Sequence, residues 1–259
     1  MITIDFNRLC RSDPVELPAG RILDVGCGTG RHMTAAFKFP DAKVVGADID
    51  FDDAVDAKNR LKSHQQNGGH ASGDVIVADV CALPFPDNFF DLILCAEVLE
   101  HIQHHRIAVS EIVRVLKPGK NMVVSVPRYL PERICWALSD DYRNAPGGHV
   151  RIYSLKALAG LLQGAGLTRW GLHFAHSLHT PFWWLKCLVG PDRVDCNLVN
   201  QYHRFLVWDM MKKPRITQIL DKILNPVLGK SIVLYLRKNE FPLSHAVSEH
   251  LRYRPLGVL

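Results

Sequence analysis

Two glutamates and a histidine lie close together in the segment CAEVLEHI, residues 95–102. If this segment is helical, Glu97, Glu100 and His101 occupy positions i, i+3 and i+4 and share one face. Carboxylates that lie so close must be solvated, paired or bound to a cation. Such a face is suited to proton transfer by the imidazole or to binding of a divalent metal ion.

A glycine-rich loop, DVGCGTG, spans residues 24–30 between an apolar run and a helix-like segment. Its three glycines lack β-carbons, so a ligand can lie against the backbone, and the following helix offers free N–H donors. The G-x-G-x-G spacing after an aspartate differs from the G-x-G-x-x-G of dinucleotide-binding proteins. The loop therefore predicts a nucleotide-type ligand at the end of the first strand.

Apolar runs bounded by turn residues alternate with segments of helical periodicity. Runs that predict strands buried on both faces lie at 21–26, 42–48, 72–79, 89–96 and 120–127. Later runs predict a sixth strand at 167–175 and a seventh at 231–238, and QHHRIAVSEIVRVLKPG predicts a helix ending at Lys-Pro-Gly. This alternation predicts an α/β fold with a doubly wound, mostly parallel sheet.

The composition predicts a folded protein of a reducing compartment. The 259 residues are 47% hydrophobic and 22% charged, which is ordinary for a globular chain. The 7 cysteines form no C-x-x-C pair, which argues against a disulfide framework and a zinc module. The first residues lack the apolar core of a signal peptide, and no stretch reaches the roughly 18 apolar residues of a membrane span. We therefore expect a cytoplasmic protein without a transmembrane segment.

The net charge of +5 is unevenly distributed, because the region 201–259 has an excess of Lys and Arg over Asp and Glu. A basic region of this kind can face nucleic acid, acidic lipid or an anionic substrate, although a solvated surface is the simpler explanation. Peripheral membrane contact therefore stays open.

The order of these features resembles that of the class I S-adenosylmethionine-dependent methyltransferases. DVGCGTG is similar to their first motif. Asp48 closes the second strand, where the family uses an acidic side chain to accept both ribose hydroxyls of the cofactor. Asp79, within VADVCALPFPDNFFDLIL, stands where the family places an acidic residue beside the adenine amine.

The resemblance implies a seven-stranded, Rossmann-like methyltransferase fold with an antiparallel seventh strand beside the sixth. It divides the chain into a cofactor-binding core at 1–176 and 231–238, a helical insertion at 177–230 and a C-terminal tail at 239–259. The implied cofactor is S-adenosyl-L-methionine. The residues implied to bind it are Asp24, Gly26, Cys27, Gly28, Gly30, Asp48, Ile49, Asp79, Val80 and Cys95.

The resemblance implies that the connection between the last two strands, residues 177–230, lies above the cofactor site. A connection of this length without secondary structure is uncommon in a compact domain, so we expect helices there. His179, Phe182, Trp183 and Trp184 are candidates to contact the acceptor, although aromatic residues also simply pack an insertion against a sheet.

The E-x-x-E-H pattern resembles the magnesium-binding motif of the small-RNA 2′-O-methyltransferases and of the polyprenyl dihydroxybenzoate O-methyltransferases. With that motif, Glu97, Glu100, His101 and His149 would hold a divalent metal such as Mg that activates an acceptor hydroxyl. The string EVLEH also occurs in relatives that need no metal. In that case His101 or His149 is the expected general base, with Glu97 a further catalytic candidate.

The resemblance implies a methyltransferase enzyme, and we expect O-methylation of a small-molecule acceptor such as a sugar, polyol, phenol or glycolipid hydroxyl. C-methylation of a quinone-like acceptor is the alternative. RNA 2′-O-methylation is a weaker alternative, because the sequence contains no recognisable RNA-binding module and nucleic acid is not an expected partner. A catalytically silent cofactor-binding module is a further alternative, against which the intact glycine loop and both acidic positions argue.

Overall fold

The computed structural model describes residues 3–12, 20–36, 42–66 and 72–240. Its strands are β1 (Arg21–Val25), β2 (Lys43–Asp48), β3 (Ser72–Val77), β4 (Phe90–Ala96), β5 (Leu116–Pro127), β6 (Leu167–Ala175) and β7 (Ser231–Lys238). They form one 7-stranded sheet in the order β3-β2-β1-β4-β5-β7-β6. β7 runs antiparallel to both β5 and β6, and the other pairings are parallel. The predicted fold, with its antiparallel seventh strand beside the sixth, is confirmed.

Helices cover both faces of the sheet and fill the last connection. They are α1 (Phe6–Ser12), α2 (Arg31–Ala36), α3 (Phe51–Gln66), α4 (His105–Val115), α5 (Tyr129–Leu138), α6 (Asp140–Arg143), α7 (Leu155–Gly164), α8 (His179–Val189), α9 (Asn197–Lys212) and α10 (Arg215–Leu228). In the parts of the chain that the structure covers, none of them is both long enough and apolar enough to cross a lipid bilayer.

The central strands are apolar at successive positions because both faces of the sheet are covered. Along β4, Leu92 and Leu94 pack into one apolar cluster, whereas Ile93 and Cys95 pack into the other. All four side chains are 0% exposed. Continuous apolar runs are what parallel strands between two helical layers require, which is why the sequence pattern located them.

The segment CAEVLEHI does not form the helix that would give its acidic residues a shared face. Glu97 has a left-handed backbone with a φ of 59°, and its N–H donates to the carbonyl of Ser125 at 2.9 Å. The chain then turns, with the N–H of His101 donating to the carbonyl of Val98 at 3.0 Å, and α4 begins only at His105. The turn, rather than a helix face, therefore sets where these side chains point.

β5 also begins earlier than its apolar run predicts. Leu116 already pairs with Phe90 of β4, so the Lys-Pro-Gly that was expected to end the preceding helix lies inside the strand. A register shift between Phe90 and Leu92 accommodates these extra residues.

The insertion, residues 177–230, contains α8, α9 and α10 and a small apolar cluster of its own around Leu178, Phe182 and Leu206. Asp221 of α10 accepts a hydrogen bond from the hydroxyl of Ser177 at 2.6 Å. These contacts fix α8 and α10 against each other where the insertion leaves β6. The boundaries of the insertion remain predictions, and most of the predicted tail at 239–259 lies outside the described residues.

Candidate functional site

A cavity of about 490 Å³ lies at the carboxyl ends of β1, β2 and β4. In a parallel sheet the ligand site lies at this edge, where neighbouring loops diverge. The volume is within the range of ordinary small-molecule sites. The predicted cofactor residues in its wall are Gly26, Cys27, Gly28, Asp48, Ile49, Asp79 and Val80.

The glycine loop leaves room for a ligand at one position in particular. Gly26 and Gly28 both have positive φ, of 62° and 47°. A β-carbon on Gly26 would lie 2.4 Å from Val98 Cγ2, so this glycine is required by packing. At Gly28, the nearest atom to an added β-carbon is Asp53 Oδ2 at 3.8 Å, so the space beside it is open and belongs to the cavity.

Asp48 links the glycine loop to the end of β2. Its Oδ2 accepts a hydrogen bond from the N–H of Gly28 at 2.7 Å, and its Oδ1 accepts one from the N–H of Asp50 at 3.0 Å. These bonds hold the carboxylate in the cavity wall and leave lone pairs free to accept further hydroxyl donors. The arrangement fits a nucleoside ribose.

Asp79 lies beside Asp48 at the end of the neighbouring strand. The N–H of Ala78 donates to the carbonyl of Asp48 at 2.8 Å, which holds the two chain segments together. The Oδ1 of Asp79 accepts a bond from the N–H of Cys81 at 2.8 Å. Its side chain is exposed and lines the cavity, so it can accept a bond from a base amine.

Other predicted cofactor residues do not line the cavity. Cys95 is 0% exposed inside β4, and a β-carbon on Gly30 would contact Ala57 of α3. Asp24 is 1% exposed beneath the loop. These positions were implied by the motif as a whole, which contains residues that shape the loop as well as residues that reach a ligand.

Asp24 is a buried acid, and neither of its oxygens has a hydrogen-bond partner among the described residues. Burial, and then the negative charge of Asp48, raise its pKa to about 8. The folded state therefore binds a proton that the unfolded state releases near pH 4. This proton stabilises the fold at low pH, and its contribution is lost as pH rises towards 8.

We expect Asp24→Asn to become more stable relative to the parent protein as pH rises. One pKa unit corresponds to about 1.4 kcal/mol, so the difference in unfolding free energy should grow by about 4 kcal/mol between pH 5 and pH 8. Urea unfolding of both proteins at several pH values measures this difference. A difference that stays constant across this range would mean that Asp24 is ionised in the fold.

The other end of the cavity begins at Glu97. Its Oε1 accepts a hydrogen bond from the hydroxyl of Ser125 at 2.9 Å, and the residue lines the cavity. A left-handed backbone costs a residue such as glutamate about 1–3 kcal/mol and persists where the surroundings enforce it, most often at functional sites. The strained turn directs this carboxylate into the cavity.

His101 faces the same cavity with one nitrogen free. Its Nδ1 lies 2.9 Å from the carbonyl oxygen of Gly147 and 3.2 Å from that of Gly148. Because a carbonyl only accepts, Nδ1 carries the proton in the neutral ring and Nε2 presents a lone pair. Nε2 lies 4.0 Å from Glu100 Oε1, and the side chain is 37% exposed. These contacts fit a general base.

Glu100 lies behind His101 and is 1% exposed. Neither of its carboxyl oxygens has a hydrogen-bond partner within the described residues. Burial, and then the negative charge of Glu97, raise its pKa well above the ordinary value. A positive charge that forms on His101 would be stabilised by ionisation of this neighbouring carboxyl group.

Glu132 of α5 is a buried residue of the site that sequence reasoning missed. Its Oε1 lies 2.5 Å from His149 Nδ1, and its Oε2 accepts a bond from the hydroxyl of Tyr142 at 3.4 Å. Burial raises the pKa of Glu132, but the hydrogen bond and charge of His149, the charge of Lys230 and the bond from Tyr142 together outweigh burial, so the pKa is below its ordinary value. Glu132 thus orients His149, whose ring lies 4.8 Å from that of His101. His149 does not line the main cavity.

Two of the four predicted lid residues line the cavity, namely His179 and Trp183. Phe182 is buried in the apolar cluster of the insertion, and the indole N–H of Trp184 donates to the carbonyl of Pro131. Lys230, which the sequence analysis did not single out, lines the cavity with its ammonium 5.0 Å from the centre of the Trp183 ring.

Comparison with known proteins identifies the class. Residues 23–124 match the family model described as a methyltransferase domain. This range contains the glycine loop, Asp48, Asp79 and the Glu97–His101 turn. This part of the chain is therefore a methyltransferase domain, in agreement with the S-adenosylmethionine-dependent family that the sequence resembles.

Relatives of this domain differ in the atom that they methylate. The chain is 34% identical over 125 residues to the ubiquinone/menaquinone biosynthesis C-methyltransferase UbiE of Ectopseudomonas mendocina, covering 46% of this chain and 48% of that protein. It is 31% identical over 105 residues to the O-methyltransferase rstn1 of Aspergillus nomiae, covering 40% and 45%. The chain thus spans about half the length of these curated relatives.

Solved structures share the fold over most of the chain. The BH2331 protein of Bacillus halodurans superposes with a TM-score of 0.60 at 20% identity, covering 91% of this chain and 99% of that one. The [4+2]-cyclase SpnF superposes with a TM-score of 0.60 at 21% identity, covering 90% and 80%. At such identities the likeness shows the fold alone.

Proposed function

We propose that this protein transfers a methyl group from S-adenosylmethionine to a hydroxyl of a small-molecule acceptor. One observation carries the proposal. A single cavity has the glycine loop, Asp48 and Asp79 at one end, and His101 with a free Nε2 at the other. The first group suits the nucleoside part of the cofactor, and the second suits an acceptor that must lose a proton.

The reaction needs alignment and removal of one proton. S-adenosylmethionine, when bound, supplies a methyl group already activated on a sulfonium. The chain must hold the acceptor oxygen in line with that methyl group and exclude water, a role that suits the lid residues His179 and Trp183. His101 Nε2 would accept the hydroxyl proton as the oxygen–carbon bond forms and the bond between the methyl carbon and sulfur breaks, with S-adenosylhomocysteine as the leaving group.

The neighbours of His101 favour this role. The Gly147 and Gly148 carbonyls hold the proton on Nδ1, so the ring cannot turn its protonated nitrogen toward the acceptor without losing those bonds. Glu100 beside Nε2 can stabilise the imidazolium that results. His149 is the alternative base, and its Nδ1 is bonded to Glu132 of α5.

C-methylation of a quinone-like acceptor is the second candidate. The similarity to UbiE, which is described as a C-methyltransferase, favours it. An aromatic carbon becomes nucleophilic when a neighbouring hydroxyl loses its proton, so the same base would serve. The structure of the product, rather than the base, distinguishes the two reactions.

Binding of a divalent metal ion is the third candidate role of the site. Three of the four residues that the sequence motif implied lie close enough together to hold one. Ligand atoms of Glu100, His101 and His149 lie within 4.8 Å of one another, and Glu97 is not part of this group. Two nitrogens and one oxygen suit manganese or zinc better than magnesium. The raised pKa of Glu100 opposes binding, because a protonated carboxyl group is a poor ligand.

We therefore expect methyl transfer to be insensitive to metal removal. Activity of protein treated with EDTA and then passed over a desalting column should equal that of untreated protein within about twofold. Loss of activity that manganese or zinc restores would contradict His101 as a free base and assign it as a ligand.

The proposed function is tested by screening acceptors with S-adenosylmethionine and detecting products heavier by one methyl group. We expect such a product from phenols, sugars or polyols, accompanied by S-adenosylhomocysteine. NMR spectroscopy of the product then assigns the methyl group to oxygen or carbon. A protein that binds the cofactor but modifies no acceptor, even among lipid extracts, would favour a silent binding module.

A further inference from the structure

Helix α10 carries an apolar stripe that faces solvent. The α10 stripe consists of Ile216, Ile219, Leu220, Ile223 and Val227, whose spacing places them on one face of the helix. These side chains are between 44% and 74% exposed. The opposite face holds the helix to the protein, through buried Thr217, the bond from Ser177 to Asp221, and Leu224 in the apolar cluster.

A continuous row of exposed branched side chains is not an ordinary feature of a solvated helix. Scattered apolar residues are common on protein surfaces, but contiguous apolar patches mark interaction sites. The amphipathic pattern of α10 is inverted with respect to the fold, because its apolar face points away from the core. Nothing in the described part of the chain covers it.

The charges around the α10 stripe indicate what it contacts. Every exposed charged residue from the start of α9 to the end of α10 is basic, namely Arg204, Lys212, Lys213, Arg215 and Lys222. The acidic residues there, Asp209 and Asp221, are partly buried. None of the five cations forms a salt bridge within the residues that the structure describes.

We propose that the α10 stripe docks on an anionic lipid bilayer. An interfacial helix combines an apolar face with basic residues beside it, so that the apolar side chains enter the acyl boundary while the cations meet lipid phosphates. Each lysine or arginine near such a surface adds attraction that salt weakens. The all-basic rim complements anionic headgroups, whereas a second copy of this chain would bring the same basic residues against it.

The α10 stripe lies on a helix that is bonded to α8, which lines the cavity. The hydroxyl of Thr180 in α8 donates to the carbonyl of Leu228 at the end of α10, at 2.6 Å. His179 and Trp183 of α8 and Lys230 just after α10 all line the cavity. Docking would therefore hold the cavity near the membrane surface. The docking itself does not depend on methyl transfer and is tested without cofactor or acceptor.

The test is co-sedimentation of the full chain with vesicles. We expect binding to vesicles of phosphatidylcholine and phosphatidylglycerol in equal amounts, and much weaker binding to phosphatidylcholine alone. The double variant Ile219→Glu/Ile223→Glu should reduce the partition coefficient at least about tenfold, and Lys212→Glu/Lys213→Glu should remove the preference for anionic vesicles. Both pairs are exposed, so the fold should be retained, which circular dichroism checks.

Val194→Glu is the matched control, because Val194 is 82% exposed but lies outside α10. It should bind vesicles as the parent protein does. Equal binding by the parent and the α10 double variant would overturn the proposal, as would absence of binding. A dimer that the Ile219→Glu/Ile223→Glu variant dissociates, seen by analytical ultracentrifugation, would assign the stripe to a second copy of the chain instead.

Discussion

Replacing Asp48 with alanine is expected to weaken binding of S-adenosylmethionine by about 100-fold or more. Hydrogen bonds to a charged group contribute about 1.5–3 kcal/mol each, and a carboxylate at this position can accept two ribose hydroxyls. The substitution also removes the acceptor for the Gly28 N–H, which orders the loop against which the ligand lies. Both losses act on cofactor affinity. Isothermal titration calorimetry with S-adenosylmethionine measures it directly.

Asp50→Ala is the matched control for this prediction. Asp50 lies two residues along the same loop and accepts a bond from the N–H of Asp53, so it supports the start of α3 without lining the cavity. We expect its loss to change stability slightly and cofactor affinity by less than about fivefold. Unchanged affinity in Asp48→Ala, with the control also unchanged, would contradict the ribose role.

Replacing His101 with asparagine is expected to lower kcat by about 10²–10⁴, the usual contribution of a positioned general base. The asparagine amide can still donate to the Gly147 carbonyl, so the turn should survive while the proton acceptor at Nε2 is lost. Cofactor affinity should change little, because Asp48 and Asp79 are untouched. Steady-state kinetics and calorimetry together separate the two effects.

Two further histidine variants show which imidazole is the base. His104→Asn changes an exposed neighbour outside the cavity wall and should retain full activity. His149→Asn should lower kcat less than His101→Asn, because His149 lies outside the main cavity. The reverse order would transfer the role of base to His149 and make His101 a residue that positions it.

Local sequence signals were sufficient to locate the strands. Apolar runs without alternation identify strands buried on both faces, and a glycine loop between a strand and a helix identifies the ligand edge. The resemblance placed Asp48 and Asp79 in the site, and the structure has Asp48 as the last residue of β2 and Asp79 two residues after β3, at that edge. The position of β7 between β5 and β6 came only from the resemblance, since an antiparallel strand has no local sequence mark.

The acceptor end could not be predicted in the same way. Spacing alone made CAEVLEHI a candidate helix, but the bond from the Glu97 N–H to Ser125 of another strand turns the chain there. Glu132 and Lys230 reach the site from α5 and from the start of β7, far from the motif in sequence. Their positions depend on tertiary packing, which no local pattern in the sequence indicates.

The pairing of Ala175 with Ser231 brings both ends of the insertion to adjacent positions in one sheet. The insertion therefore starts and ends at paired positions of two neighbouring strands, a separation that a tight hairpin could also span. The residues proposed to bind the nucleoside, at the ends of β1, β2 and β3, lie outside this segment. The part of the cavity wall that the insertion supplies, with His179, Trp183 and Lys230, is therefore a module that natural variation or a designed chimera can exchange, while the glycine loop and the turn with His101 stay the same.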